Sequence, residues 1–222
     1  MIKTHARFAV LALPVLVALA GCEDPTKDMP KATVSTAAPA KTGAATAKTD
    51  APPAATEALA IDPATSTIGF VGSKVTGKHE GKFEKFSGTI TLAGGKAEGG
   101  KLAVEIDLGS VKTDQEHLDG HLKSKDFFEV DKFPKATFTS TEIKAGGEKG
   151  ATHTVTGDLD LHGVKKSISF PATIAVTADG ATGTAEFSIN RKDFGLVYPG
   201  KPDDLIRDDV GLKLSVKAAR KK

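Results

Sequence analysis

Between residues 61 and 222 apolar and polar side chains alternate with a period of two, a rhythm that suits half-buried strands rather than amphipathic helices. Leu102, Val104, Ile106 and Leu108 alternate with Ala103, Glu105 and Asp107. Val155, Gly157, Leu159 and Leu161 alternate with Thr156, Asp158 and Asp160, and Val210, Leu212, Leu214 and Val216 with Gly211, Lys213 and Ser215. The same pattern fits residues 66–76, 82–93, 134–144, 166–178 and 182–191, with turns at Gly94-Gly95, Gly99-Gly100, Gly146-Gly147 and Asp179-Gly180. Eight strands, each with one oily face, predict an all-β domain. It is either a two-sheet sandwich or an up-and-down antiparallel barrel whose closure removes exposed edges. Residues 114–131 break the rhythm, and Leu118 and Leu122 there are spaced for one face of a short helix.

A barrel of about eight strands either fills its centre with side chains or holds one small ligand, so the inward residues decide. Pointing the oily face inward places small Gly72, Gly88, Ala136, Gly157, Ala172 and Ala185 among large Phe70, Phe86, Ile90, Phe138, Phe170, Ile174 and Phe187. The chain has no Trp and only 5% aromatic residues, so few rings are available to plug the centre. The small residues either leave room for a ligand or serve curvature and close packing.

The first 21 residues read as an export signal, with Lys3 and Arg7 ahead of a 13-residue apolar run from Phe8 to Ala20. That run is too short to span a bilayer, which takes about 20 residues. Leu19-Ala20-Gly21-Cys22 resembles the lipobox read by lipoprotein signal peptidase, which implies acylation of Cys22, with palmitate as a typical chain. Glu23 rather than Asp follows, and by resemblance to known sorting behaviour this favours the outer over the inner membrane. A single cysteine allows no internal disulfide. Without Lys3 and Arg7 the chain carries 28 basic and 28 acidic residues, so no basic excess draws it to nucleic acid. In residues 23–60, 24 of the 38 are Ala, Thr or Pro. Such a segment has no core of its own, so residues 22–60 are expected to be a lipidated cysteine and a disordered tether. A tether of that length holds the domain on the order of 35 Å from the membrane. The folded domain is then 61–222, large enough for one core. Arg220-Lys221-Lys222 reads as a solvated, frayed end.

Six blocks in this domain identify a family resemblance. They are Ile61-Asp62-Pro63; Gly81-Lys82-Phe83 with Phe86-Ser87-Gly88; Leu118-Asp119-Gly120-His121-Leu122 running on to Phe127-Phe128; Phe133-Pro134-Lys135-Ala136-Thr137-Phe138; Gly157-Asp158-Leu159-Asp160-Leu161-His162-Gly163-Val164; and Asn190-Arg191-Lys192-Asp193-Phe194-Gly195. The domain resembles the YceI-like family of lipocalin-shaped periplasmic proteins that bind polyisoprenoid chains. The resemblance implies an eight-stranded antiparallel barrel with one short helical insertion and an elongated apolar channel for an isoprenoid or quinone-like lipid. The expected channel wall is Phe70, Phe86, Ile90, Leu102, Val104, Phe138, Leu159, Leu161, Phe170, Ile174, Phe187, Leu212 and Leu214. His121, His162, Arg191 and Asp193 are candidates for gripping a head group, with a local Arg191–Asp193 ion pair as the plainer reading. Each buried CH₂ is worth about 0.8 kcal/mol, so ten tail carbons supply a gross 8 kcal/mol or so.

Two other classes compete with a membrane-anchored lipid carrier. His117 and His121 are four residues apart, beside Glu116 and Asp119, but no third metal ligand stands at a diagnostic spacing, so no metal or other cofactor is expected. An envelope protein with a purely structural or stress-protective role is the other alternative. Catalysis finds little support: there is no nucleophile elbow or phosphate loop, and Asp203, Asp204, Asp208 and Asp209 read as a solvated loop. Phe127-Phe128 reads either as an exposed lip that dips into a membrane to collect lipid or as a plug closing one end of the barrel, and the plug is expected.

Overall fold

The structure, a computed structural model, describes residues 24–37 and 55–220. Its elements are β1 (Thr33–Thr36), β2 (Thr56–Ala60), β3 (Thr67–Lys74), β4 (Gly77–Phe83), β5 (Phe86–Ala93), β6 (Lys96–Asp107), β7 (Val111–Thr113) and α1 (Glu116–Lys123). There follow β8 (Lys135–Ala145), β9 (His153–Leu161), β10 (Val164–Thr177), β11 (Gly180–Asn190), β12 (Gly200–Lys201), β13 (Asp204–Leu205) and β14 (Asp209–Ala219). The expected helical insertion is α1, and the alternating stretches are strands.

The ladders close into a ring. β6, β8, β9, β10, β11, β14, β3 and β4 pair in that order, all antiparallel. β4 then pairs with β7, which continues β6 through the turn Leu108–Ser110, while β5, which continues β4, pairs with β6. Counting β4–β5 and β6–β7 as two bent staves, the barrel has eight. The stave expected over 82–93 therefore starts earlier, at Gly77, and bends at Glu84-Lys85, where both amide groups turn to Ser110 instead of the ladder. At the end away from α1, β2 lies along β5 and reaches β14. The Asp62 N–H donates to the Lys217 carbonyl at 2.9 Å, and Arg220 forks onto Glu57 at 2.7 and 2.8 Å. Arg220 is thus a clasp rather than a frayed end.

The expected tether is corrected over much of its described length. β10 pairs with β11 only through Thr173–Thr177. Beyond that the two strands separate, and residues 30–36 fill the gap. β1 pairs antiparallel with Lys166–Ser169 of β10, and on the other side Pro30 and Ala32 exchange backbone hydrogen bonds with Ser188 of β11 at 2.8 and 2.9 Å. Ala32 is buried and Val34 packs on the same core cluster. A segment too poor in apolar residues to form a core can still order when an existing barrel offers it unpaired backbone groups and a place to bury two side chains. β2 likewise belongs to the barrel. Cys22 and residues 38–54 lie outside the described residues.

Candidate functional site

A cavity of about 600 Å³ runs inside the barrel. Its size falls within the roughly 300–1,000 Å³ of small-molecule sites. Every expected wall residue except Phe86 lines it. Phe86 stands just past the bend at Glu84-Lys85 and instead packs half-buried against the cluster of Leu59, Ile61 and Ile68. Phe170 and Phe187 stack with ring centroids 4.2 Å apart, and Phe138 leans on Phe170 at 5.6 Å.

The small residues divide by role. A Cβ on Gly72 would meet nothing within 4 Å, so this glycine leaves space in the cavity. A Cβ on Gly157 would lie 2.5 Å from the Phe138 ring and 2.6 Å from the Thr139 carbonyl, and one on Gly88 2.6 Å from the Ala103 carbonyl. Those two serve close packing and do not line the cavity.

Polar groups gather at one end of this apolar tube. There α1, the β3–β4 hairpin and the loop 196–206 surround a mouth that includes Ser73, His79, His117, His121, Tyr198 and Lys201. Phe127 and Phe128 are buried and line the cavity from the same side, as a plug does. The His121 ring stands edge-on to Phe127 and Tyr198, 5.0 and 5.1 Å away, and its Nε2 lies 3.1 Å from an Asp126 carboxylate oxygen. His79 Nδ1 lies 3.0 Å from Asp114. Ser73 Oγ is buried without a hydrogen-bond partner among the described residues. The alternation and motif blocks did not single out His79, Ser73 or Tyr198, because a mouth is assembled from loop ends far apart in sequence.

The other expected head-group residues sit elsewhere. His162 and Gly163 form the two-residue turn between β9 and β10, both at positive φ (54° and 72°) as such hairpins require. Phe133 covers this turn, with its ring 4.7 Å from that of His162, so His162 is a turn residue outside the cavity. Asp193 is exposed, and the partner of Arg191 is Asp208 rather than Asp193. Arg191 is 4% exposed and borders the cavity, but its donors are committed. It donates to the carbonyls of Leu196, Ile206 and Arg207 at 2.5, 3.4 and 3.1 Å and to Asp208 at 3.2 Å. Burial draws its pKa below the ordinary guanidinium value while Asp208 opposes the shift. Arg191, just after β11, thus ties the start of the mouth loop at Leu196 to its end at Ile206–Asp208.

Among the described residues no three His, Cys, Asp or Glu side chains gather closely enough to hold a metal ion. Of the acids beside His117 and His121, Asp119 is buried and accepts from the Thr113 N–H and Oγ1 and from Lys112 Nζ at 2.7, 2.8 and 3.0 Å. In the loop cluster, Asp204 pairs with Lys74, Asp208 with Arg191 and Lys192, and Asp209 with Lys31.

Asp119 latches the helix α1, which roofs the mouth, to β7. The Lys112 ammonium and then the Thr113 hydroxyl hold its pKa below the usual carboxylate value. A carboxylate depressed on folding adds stability that is present above its unfolded pKa and lost as pH falls through the folded one. Protection factors across α1, from which the intrinsic pH dependence of amide exchange has been divided out, are therefore expected to fall as pH drops below the ordinary carboxylate range. In Asp119→Ala they are expected to be low already at neutral pH and to change little on acidification. Hydrogen exchange followed by mass spectrometry reads both.

An eight-stave antiparallel barrel around an apolar cavity, open at a polar mouth, defines a lipocalin-like binding barrel. The model of the YceI-like domain matches residues 59–218, and the chain belongs to that family. It is 35% identical over 139 residues to a UPF0312 protein of Pseudomonas putida (strain W619), spanning 60% of this chain and 71% of that one. With a UPF0312 protein of Pseudomonas syringae pv. tomato it shares 38% over 138 residues, 59% and 70% of the two chains. Among solved structures, BcnA of Burkholderia cenocepacia superposes with a TM-score of 0.63 at 26% identity, over 71% of this chain and 99% of that one. A polyisoprenoid binding domain from Saccharophagus degradans superposes at 0.58 with 22% identity, over 73% and 98%, and so shares the fold.

Proposed function

We propose that this protein is a membrane-anchored carrier that encloses the apolar tail of an isoprenoid or quinone-like lipid without altering it. The observation that carries the reading is the cavity of about 600 Å³, aliphatic and aromatic along its length, with its charged, histidine and tyrosine side chains gathered near the mouth and only the hydroxyls of Thr91, Thr182 and Thr184 elsewhere on the wall. A tail needs wall area and no directional chemistry, and affinity grows with each methylene buried. The polyisoprenoid-binding relative of the same fold supports this ligand class. His121, His79, Tyr198 and Ser73 are the groups placed to meet a head group, in place of Arg191, Asp193 and His162. Acylation of Cys22 and an address in the outer membrane complete the proposal, since a carrier beside a bilayer can collect a ligand with negligible solubility in water.

Native mass spectrometry of the mature chain, purified from a bacterial host in mild detergent, tests it. One isoprenoid or quinone per chain is the expected result, and an empty barrel from every host would overturn the reading in favour of a structural role. Organic extraction of that lipid is expected to lower the melting temperature. A ligand present at about 100 times its Kd contributes roughly 2.7 kcal/mol to the folded state, which extraction removes.

A further inference from the structure

Among the described residues, three large apolar side chains are strongly exposed: Val75, Val197 and Leu205, at 58%, 63% and 49%. All three belong to the mouth. Val75 follows the cavity-lining Lys74, Val197 stands between Leu196 and Tyr198, and Leu205 between Asp204 and Ile206, all lining residues. The Val75 N–H donates to the Leu205 carbonyl at 3.2 Å, so hairpin and loop form one rim.

The described chain begins beside this rim. An Asp24 carboxylate oxygen lies 3.4 Å from Arg207, whose N–H donates to the carbonyl of the cavity-lining Ser73 at 2.8 Å. Thr26 is buried, and a Cβ on Gly211 of β14 would touch Met29, so residues 24–29 pack on the barrel wall before 30–36 enter it. Cys22 is two residues from Asp24, a reach of at most about 7 Å.

From these placements we propose that the mouth rim docks directly on the lipid bilayer, with Val75, Val197 and Leu205 inserted at its surface and the residues after Cys22 holding the barrel mouth-down. The inference rests on the carrier reading and on acylation of Cys22, and it replaces a barrel swinging on a long tether with one fixed at the membrane. Each part supports the other. An anchor beside the mouth leaves little freedom to turn it away, and an apolar rim next to an anchor has the membrane as its nearest apolar phase. A lipid tail then passes from bilayer to cavity without crossing water.

The test uses the full acylated chain in phosphatidylethanolamine–phosphatidylglycerol vesicles whose acyl chains carry bromine or nitroxide quenchers. A fluorophore is attached through Val75→Cys or Leu205→Cys, or, at the opposite end of the barrel, through Asp179→Cys in the β10–β11 turn. Acylation occupies Cys22, so the new thiol alone is labelled, and mass spectrometry of each preparation reports both the acyl group and any isoprenoid. Quenching several-fold stronger at positions 75 and 205 than at 179 is the expected result. Equal, weak quenching at both ends would overturn the docking and assign the rim to contact with a protein, and so would a chain with no acyl group on Cys22. A quenched rim on an empty barrel would sink the carrier reading alone, whereas a loaded barrel with an unquenched rim would sink the docking alone.

Discussion

Gly72→Phe is expected to abolish lipid binding while leaving the barrel folded. Gly72 lines the cavity opposite His79 in the β3–β4 ladder, and a Cβ there meets nothing within 4 Å. The new ring would have room only by taking the volume that a tail occupies. Displacing about five methylenes at about 0.8 kcal/mol each forfeits about 4 kcal/mol, close to three decades in Kd. Titration with a fluorescent isoprenoid analogue gives the affinity, and thermal unfolding of lipid-free protein gives the control. Undiminished binding by a folded Gly72→Phe would place the ligand outside the cavity. Gly157→Ala supplies the contrast. Its methyl would be driven onto the Thr139 carbonyl and the Phe138 ring, so it should destabilise the barrel rather than fill it.

Arg191→Ala is expected to cost about 3–5 kcal/mol of stability, the usual penalty for removing one member of a buried charged network. Three carbonyls of the mouth loop and the Asp208 carboxylate lose their donor together. Leu196, which lines the cavity, and Ile206, which carries the neighbouring Leu205, lose their fixed positions with it. Urea unfolding measures the loss, and Lys192→Ala calibrates it. Lys192 bridges the same Asp208 from the surface at 2.9 Å, and an exposed pair of that kind is worth about 0–1 kcal/mol. Equal losses for the two variants would show that apolar packing, not the guanidinium, holds the loop.

Of the site, the wall was legible in the sequence and the mouth was not. A strand writes its orientation into alternate positions, so Phe70, Leu102, Val104, Phe138, Leu159, Phe187 and Leu212 could be assigned to one face before any pairing was known, and all seven line the cavity. Phe86 escaped that logic because the bend at Glu84-Lys85 changes its neighbours without changing its parity. Arg191 and Asp193 are close in sequence and look like a pair, yet the guanidinium finds Asp208 seventeen residues on, because β14 runs antiparallel beside β11 and brings that acid to the same rim.

The sequence by itself determined the class of fold, the apolar inner face and the position of α1, since each follows from local periodicity and turn chemistry. It also held the family's blocks. What only the tertiary structure decided is where chain segments meet. Composition alone makes residues 24–37 a linker, but the splayed β10–β11 edge supplies backbone partners that no property of the segment encodes, and there it becomes part of the wall. The same holds for the rim, where Val75, Val197 and Leu205 are unremarkable one by one and form a surface only because closing the barrel gathers its loops at one end.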